Sequence, residues 1–141
     1  MRIMGLDYGE KRIGVAVSDE MGMISQPVVV VVRQNRRKDL ESITALVSRY
    51  RPEKIVIGYP VRLDGAEGIQ CQKVNRFAAT LASHLQLPVI RWDETFSTKE
   101  AEEILRHSHM KREKRKEVVD KLAASIILQD YLRALPPRQT A

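Results

Sequence analysis

The chain of 141 residues has one cysteine, Cys71, so no intramolecular disulfide is possible. No second Cys, and no His at metal-ligand spacing, stands near it, which excludes a zinc site there and a disulfide-stapled secreted scaffold. Cys71 is read as helix packing. No apolar run approaches the roughly 20 residues of a membrane span. The opening "MRIMGLDYG" enters a strand directly, without a basic segment followed by a long apolar run, so a cytoplasmic protein is expected. Repeats and interdomain linkers are also lacking. The expectation is one domain over residues 1–135, large enough to bury a core without a structural metal, followed by a frayed tail, "PPRQTA", at 136–141.

What the chain has is positive charge, and it is concentrated. The formal net charge is +6, from 24 Lys and Arg against 18 Asp and Glu. Residues 106–121, "RHSHMKREKRKEVVDK", hold seven basic and three acidic residues, so four of the six excess charges sit in sixteen positions. A localised basic run favours an anionic partner, most commonly nucleic acid, over a uniformly solvated surface.

Alternation and β-branched runs predict strands over 2–7, 12–19 and 28–33, close enough in sequence to form an antiparallel meander. The period then changes. Leu40, Ile43, Leu46, Val47 and Tyr50 recur at helical spacing, "KIVIGY" at 54–59 reads as a short buried strand, and Val74, Phe77, Ala78, Leu81 and Leu85 mark a second helix. "PVIRW" at 88–92 is the last strand. Ser97 and Glu100 have capping-box spacing ahead of Ala101, Ile104 and Leu105. The final helix carries Val118, Val119, Leu122, Ala123, Ile126 and Ile127 and stops before Pro136; over 106–116 the helical pattern lapses amid charge. The order β-β-β-α-β-α-β-α-α implies an α/β fold: a mixed five-stranded sheet, made of a three-strand meander plus αβ crossovers, with helices on both faces.

Strand 1 ends on a carboxylate, Asp7, where a buried strand ordinarily continues with an apolar residue. In an open sheet the strand ends that feed helices line a crevice where ligands collect. "GYP" at 58–60 and "WDETFST" at 92–98 follow parallel strands, and strand 1 lies beside them if it is central. Asp7 and Glu94 thus converge, and Asp120, placed in the first turn of the last helix at the border of its apolar stripe, is the acid that helix can add. Three crowded carboxylates raise one another's pKa unless a divalent cation neutralises them. With only oxygen ligands, magnesium or manganese is favoured over zinc. One such ion, or two about 4 Å apart, suits phosphodiester hydrolysis. Singly, each acid also fits a plain role: Asp7 in a turn before Gly9, Glu94 in a solvated loop, Asp120 near a helix N-terminus. Asp93 is expected to point away from the crevice, Asp64 falls in a β-turn, and His107 and His109 diverge on a helix. Lys11 and Arg12 in the "EKR" turn either face phosphate or form a solvated hairpin tip. Lys111, Arg112, Lys114, Arg115 and Lys116 are read as a mobile arm ahead of the last helix that closes over substrate phosphates.

Four ordered stretches, "GLDYGEKRIGVAVSD", "IGYPVRLDG", "WDETFST" and "DKLAASIIL", resemble the YqgF (RuvX) family across nearly the whole chain. The resemblance implies a ribonuclease H-like fold and a nuclease, described both as Holliday-junction-resolvase-like and as maturing the 5' end of pre-16S ribosomal RNA. It also implies an acidic triad of Asp7, Glu94 and Asp120, the same acids the strand ends select. The family usually has Arg after the motif glutamate; here Thr95 stands in that place and cannot supply a charged fork for phosphate. Arg62 is the compensating cation.

Two other classes compete. An actin-like or sugar-kinase ATPase also has an Asp-x-Gly hairpin, but needs two such domains to close over ATP. A non-catalytic RNA-binding or ribosome-assembly module leaves the three acids without a purpose. Within the nuclease reading, four-way-junction resolution needs two symmetric nicks and hence a two-fold dimer, whereas RNA trimming needs one site. No exposed apolar stripe demands a dimer, so RNA, free or in ribosomal precursor particles, is favoured over branched DNA, with a monomer or weak dimer as the acting form.

Overall fold

The structure is a computed structural model, and it describes residues 1–60, 67–93, 103–104 and 112–136. Five strands, β1 (Ile3–Tyr8), β2 (Arg12–Ser18), β3 (Ser25–Val32), β4 (Lys54–Tyr59) and β5 (Val89–Asp93), form one sheet in the order β3-β2-β1-β4-β5. β1, β2 and β3 pair antiparallel, while β1, β4 and β5 run parallel. Among the described residues, three helices complete at both ends, α1 (Arg36–Tyr50), α2 (Ile69–Leu85) and α3 (Arg112–Ala134), cover it. β1 is therefore central, and the C-terminal ends of β1, β4 and β5 share one end of the sheet.

Side-chain alternation divides the core in two. Met4, Leu6, Ile13, Val15, Val17, Ile55 and Ile57 face α1 and α2, where they pack with Ile43, Val74, Phe77, Ala78 and Leu81. Ile3, Ala16 and Val56 point to the opposite face and pack with Ala124, Ile127, Leu128, Tyr131 and Leu132 of α3. Covered on both sides, β1 reads as a continuous apolar run until Asp7. Ser18 is one of two buried polar residues among those described, with Asp39, and it is satisfied: its hydroxyl oxygen accepts the Ile3 N–H at 2.9 Å.

α3 lies unusually close to the sheet because two glycines sit beneath it. A Cβ on Gly5 would come 2.7 Å from the Leu128 Cβ. One on Gly14 would overlap the Asp120 carbonyl oxygen and lie 2.6 Å from the Asp120 carbonyl carbon. Both distances are far below the ordinary carbon–carbon contact of about 3.5 Å, so glycine is what permits this seam.

Several boundaries differ from the sequence-based expectation. β3 starts at Ser25, ahead of the expected 28, because Pro27 is accommodated on an edge strand at a bulge: Val15 pairs with Val29 and Ala16 with Pro27, leaving Val28 as the extra residue. α1 and α2 begin at Arg36 and Ile69, before their first periodic apolar residues. Asn35 caps α1 by accepting the Lys38 N–H at 2.9 Å. The largest correction concerns the basic segment. Arg112 to Lys116 do not precede the last helix as an arm; they are its first turns, and Asp120 lies two turns in, not in the first turn. The apolar stripe is also rotated from Val118, Leu122 and Ile126, which are only partly buried, towards Ala124, Leu128 and Tyr131. No helix among the described residues is long and apolar enough to cross a membrane.

Candidate active site

Asp7 stands at the C-terminal end of the central strand, directly opposite Gly14 of β2. Alternation puts it on the same face as Ile3 and Gly5, the face that α3 covers. The missing side chain of Gly14 lets the α3 backbone settle at Asp120, so Asp120 lies on the same side of the β1–β2 ribbon as Asp7. Arg12, two residues before Gly14 on the same face, completes the cluster: its Nε donates to Asp120 Oδ2 at 2.6 Å, with the two side chains 26% and 25% exposed. Arg12 is thus no solvated hairpin tip, and its charge is matched by Asp120. Lys11 does remain exposed at the tip.

The opposite face of the hairpin is clamped. The Tyr8 ring stacks on Phe77 with centroids 4.4 Å apart and planes at 17°, and the Arg33 guanidinium lies 4.4 Å from the Tyr8 centroid. Arg33 Nη1 donates to the Gly9 and Glu10 carbonyls at 2.9 and 3.1 Å, and its backbone N–H donates to the Lys11 carbonyl at 2.9 Å. Its Nε reaches the buried carboxylate of Asp39 at 3.4 Å, whose other oxygen accepts the Gln34 N–H. From α2, Gln70 Nε2 donates to the Tyr8 carbonyl at 2.9 Å. Burial pushes the Tyr8 phenol above its ordinary 10.0, against the opposing pull of Arg33, so it stays neutral. The turn between Asp7 and Arg12 is therefore fixed from the α1 and α2 side while Asp7 and Arg12 face the α3 side. Arg33 and Asp39 were not anticipated. Their only sequence signal is an acid placed immediately before the first apolar residue of α1.

β5 runs through Asp93, one residue further than expected, and ends at the sheet end that bears Asp7; Asp93 itself is exposed. Glu94, Thr95, Arg62, Asp64, Ser97, Glu100, His107, His109 and Lys111 lie outside the described residues. Among the described residues no group of three His, Cys, Asp or Glu is placed to hold a metal. Asp7 and Asp120 supply oxygen donors on one face, the donor type a hard divalent ion takes. In the first turns of α3, Lys114 and Lys116 are exposed and Arg115 is partly buried. Cys71 is buried and its thiol donates to the Pro60 carbonyl at 3.4 Å, in keeping with a packing role.

The family model for RuvX, described as Holliday junction resolvase, matches residues 1–134. The chain belongs to the RuvX family. A protein of Syntrophus aciditrophicus named "Putative pre-16S rRNA nuclease" is 62% identical over 135 residues, covering 96% of this RuvX-family chain and 90% of the relative. One of the same name from Halothermothrix orenii is 49% identical over 132 residues, 94% of each chain. Among solved structures, Thermus thermophilus RuvC in complex with a Holliday junction substrate superposes with a TM-score of 0.54 at 18% identity, covering 95% of this chain and 94% of that one. The Fowlpox virus Holliday junction resolvase gives 0.57 at 15%, covering 96% and 100%. At such identities the likeness establishes the fold: the mixed five-stranded sheet of this RuvX-family chain is ribonuclease H-like.

Proposed function

We propose that this chain is a divalent-metal-dependent nuclease that hydrolyses phosphodiester bonds, acting on precursor 16S ribosomal RNA at its 5' end. The observation that supports the reading is that Asp7 stands opposite Gly14 and Asp120 lies over that same glycine, at the sheet end where β1, β4 and β5 all terminate. A glycine opposite the first acid and beneath the second sets both on one face.

Asp7, Asp120 and Glu94 would hold magnesium or manganese, which when bound supplies Lewis acidity towards an attacking water and the leaving oxygen. The chain's own part is positional. The Arg33 clamp keeps the Asp7 strand end from moving, the glycine seam fixes Asp120, and exposed Lys11, Lys114 and Lys116 offer cations to the substrate backbone. The names of the relatives favour RNA. The test gives purified protein and manganese a structured precursor RNA and a four-way DNA junction side by side, with Asp7→Asn as control. RNA cleavage lost in the variant supports the proposal. Cleavage of the junction alone would move the substrate to branched DNA, and cleavage of neither would leave a non-catalytic module.

A further inference from the structure

We infer that Arg12 is a built-in counter-ion that occupies Asp120 in the metal-free chain and gives it up when a divalent ion enters, so that metal entry and phosphate capture are coupled. The inference rests on the proposed metal site. Its physical basis is the contact of 2.6 Å between Arg12 Nε and Asp120 Oδ2, made between two side chains that are each about three-quarters buried. The pair joins residues 108 positions apart and lies on the α3 face of the ribbon, where Asp7 also lies.

Without a metal, acids drawn together by the Gly14 seam repel each other, and the fixed positive charge of a guanidinium offsets that repulsion. With a metal, the same guanidinium becomes a like charge beside the ion and a competitor for one of Asp120's two oxygens. Arg12 is anchored on β2, so once released it stays at the mouth of the cluster. There its planar fork matches two phosphate oxygens. The acid partner of Arg12 is then exchanged: a carboxylate when the site is empty of metal, a substrate phosphate when it is loaded. Coupling of this kind is reciprocal, so nucleic acid that engages Arg12 must also tighten the metal.

The test measures manganese binding by electron paramagnetic resonance, without nucleic acid, in wild type, Arg12→Gln and Arg12→Lys. A shift of about tenfold towards tighter binding is expected for Arg12→Gln, within the usual range of coupling between sites, and a smaller shift for Arg12→Lys, which keeps the charge. In an Asp120→Asn background, Arg12→Gln should shift manganese affinity less than it does in wild type, because the competition for that carboxylate is gone and only the like charge remains. Affinity for a non-cleavable phosphorothioate RNA should rise with manganese in wild type and rise less in Arg12→Gln. Equal or weaker manganese binding in Arg12→Gln than in wild type overturns the inference while leaving the metal site standing. No manganese binding in either protein overturns both.

Discussion

Replacing Gly14 by alanine inserts a methyl group into the seam that sets the position of α3. The new carbon would lie 2.6 Å from the Asp120 carbonyl carbon and 3.3 Å from the Lys121 nitrogen, and all of these are backbone atoms that cannot rotate away. Restoring an ordinary carbon–carbon separation of about 3.5–4.0 Å requires α3 to retreat from β2 by roughly 1 Å at Asp120. Overpacking of this kind costs about 1–3 kcal/mol, and a contact between two backbones belongs at the upper end. The restricted unfolded state of alanine returns only about 0.4–1 kcal/mol, so a net loss near 2 kcal/mol is expected in a urea titration. Activity should suffer more than stability, because a shift of about 1 Å in a catalytic group lowers rates by around 100-fold. Gly5→Ala, whose Cβ meets the Leu128 side chain at 2.7 Å and the Ala124 carbonyl at 3.1 Å, should also destabilise, yet with a smaller effect on cleavage because it lies a full turn of α3 from Asp120. A Gly14→Ala protein with wild-type stability and wild-type cleavage would refute the seam as the device that places Asp120.

Asp39→Ala removes the buried acceptor shared by Arg33 and the Gln34 N–H; because Arg33 keeps the Gly9 and Glu10 carbonyls, the loss should be about 2–3 kcal/mol by urea unfolding, and a change below 0.5 kcal/mol would mean the clamp is not stabilising. Lys114→Ala with Lys116→Ala, both exposed in the first turns of α3, should flatten the slope of log affinity against log salt for single-stranded RNA by about 1.4 if each touches a phosphate; an unchanged slope would make these residues a solvated helix face. The Ile24 and Met23 N–H groups that donate to Asp19 hold its carboxyl below its ordinary 3.8. Its folded pKa being depressed, the stability it adds is present above that value and lost as pH falls through the lowered one. Asp19→Asn should therefore show a shallower loss of thermal stability as pH falls below about 4 than wild type, and parallel curves would count against the turn's role.

The order of the sheet was legible because strand periodicity is local: the meander, the two crossovers and the central place of β1 all follow from short apolar runs and the turns between them. Asp7 could be singled out for the same reason, as the acid that interrupts such a run. The start of α3 was hidden because "KREKRK" is charged on every side and no apolar residue between Lys111 and Glu117 sets a helical period. Pro27 masked the start of β3, since a bulge on an edge strand tolerates what a central strand excludes. The pair formed by Arg12 and Asp120 had no local signature at all. Nor did the Arg33 clamp, where Asp39 sits among exposed basic residues and reads as a solvated helix start until the fold buries it.

The central claim is that Asp7 and Asp120 are functional acids held together by the fold and are not part of what holds the fold together. It is tested most directly by measuring, on the same preparations, manganese-dependent RNA cleavage and metal-free thermal unfolding of Asp7→Asn and Asp120→Asn. Removing one charge from a crowded pair relieves repulsion, although Asp120→Asn also gives up the ion pair with Arg12. The account predicts that both variants lose cleavage while each melts within a few degrees of the wild-type temperature. Wild-type cleavage in both variants, or a collapse of metal-free stability in Asp7→Asn, would contradict it.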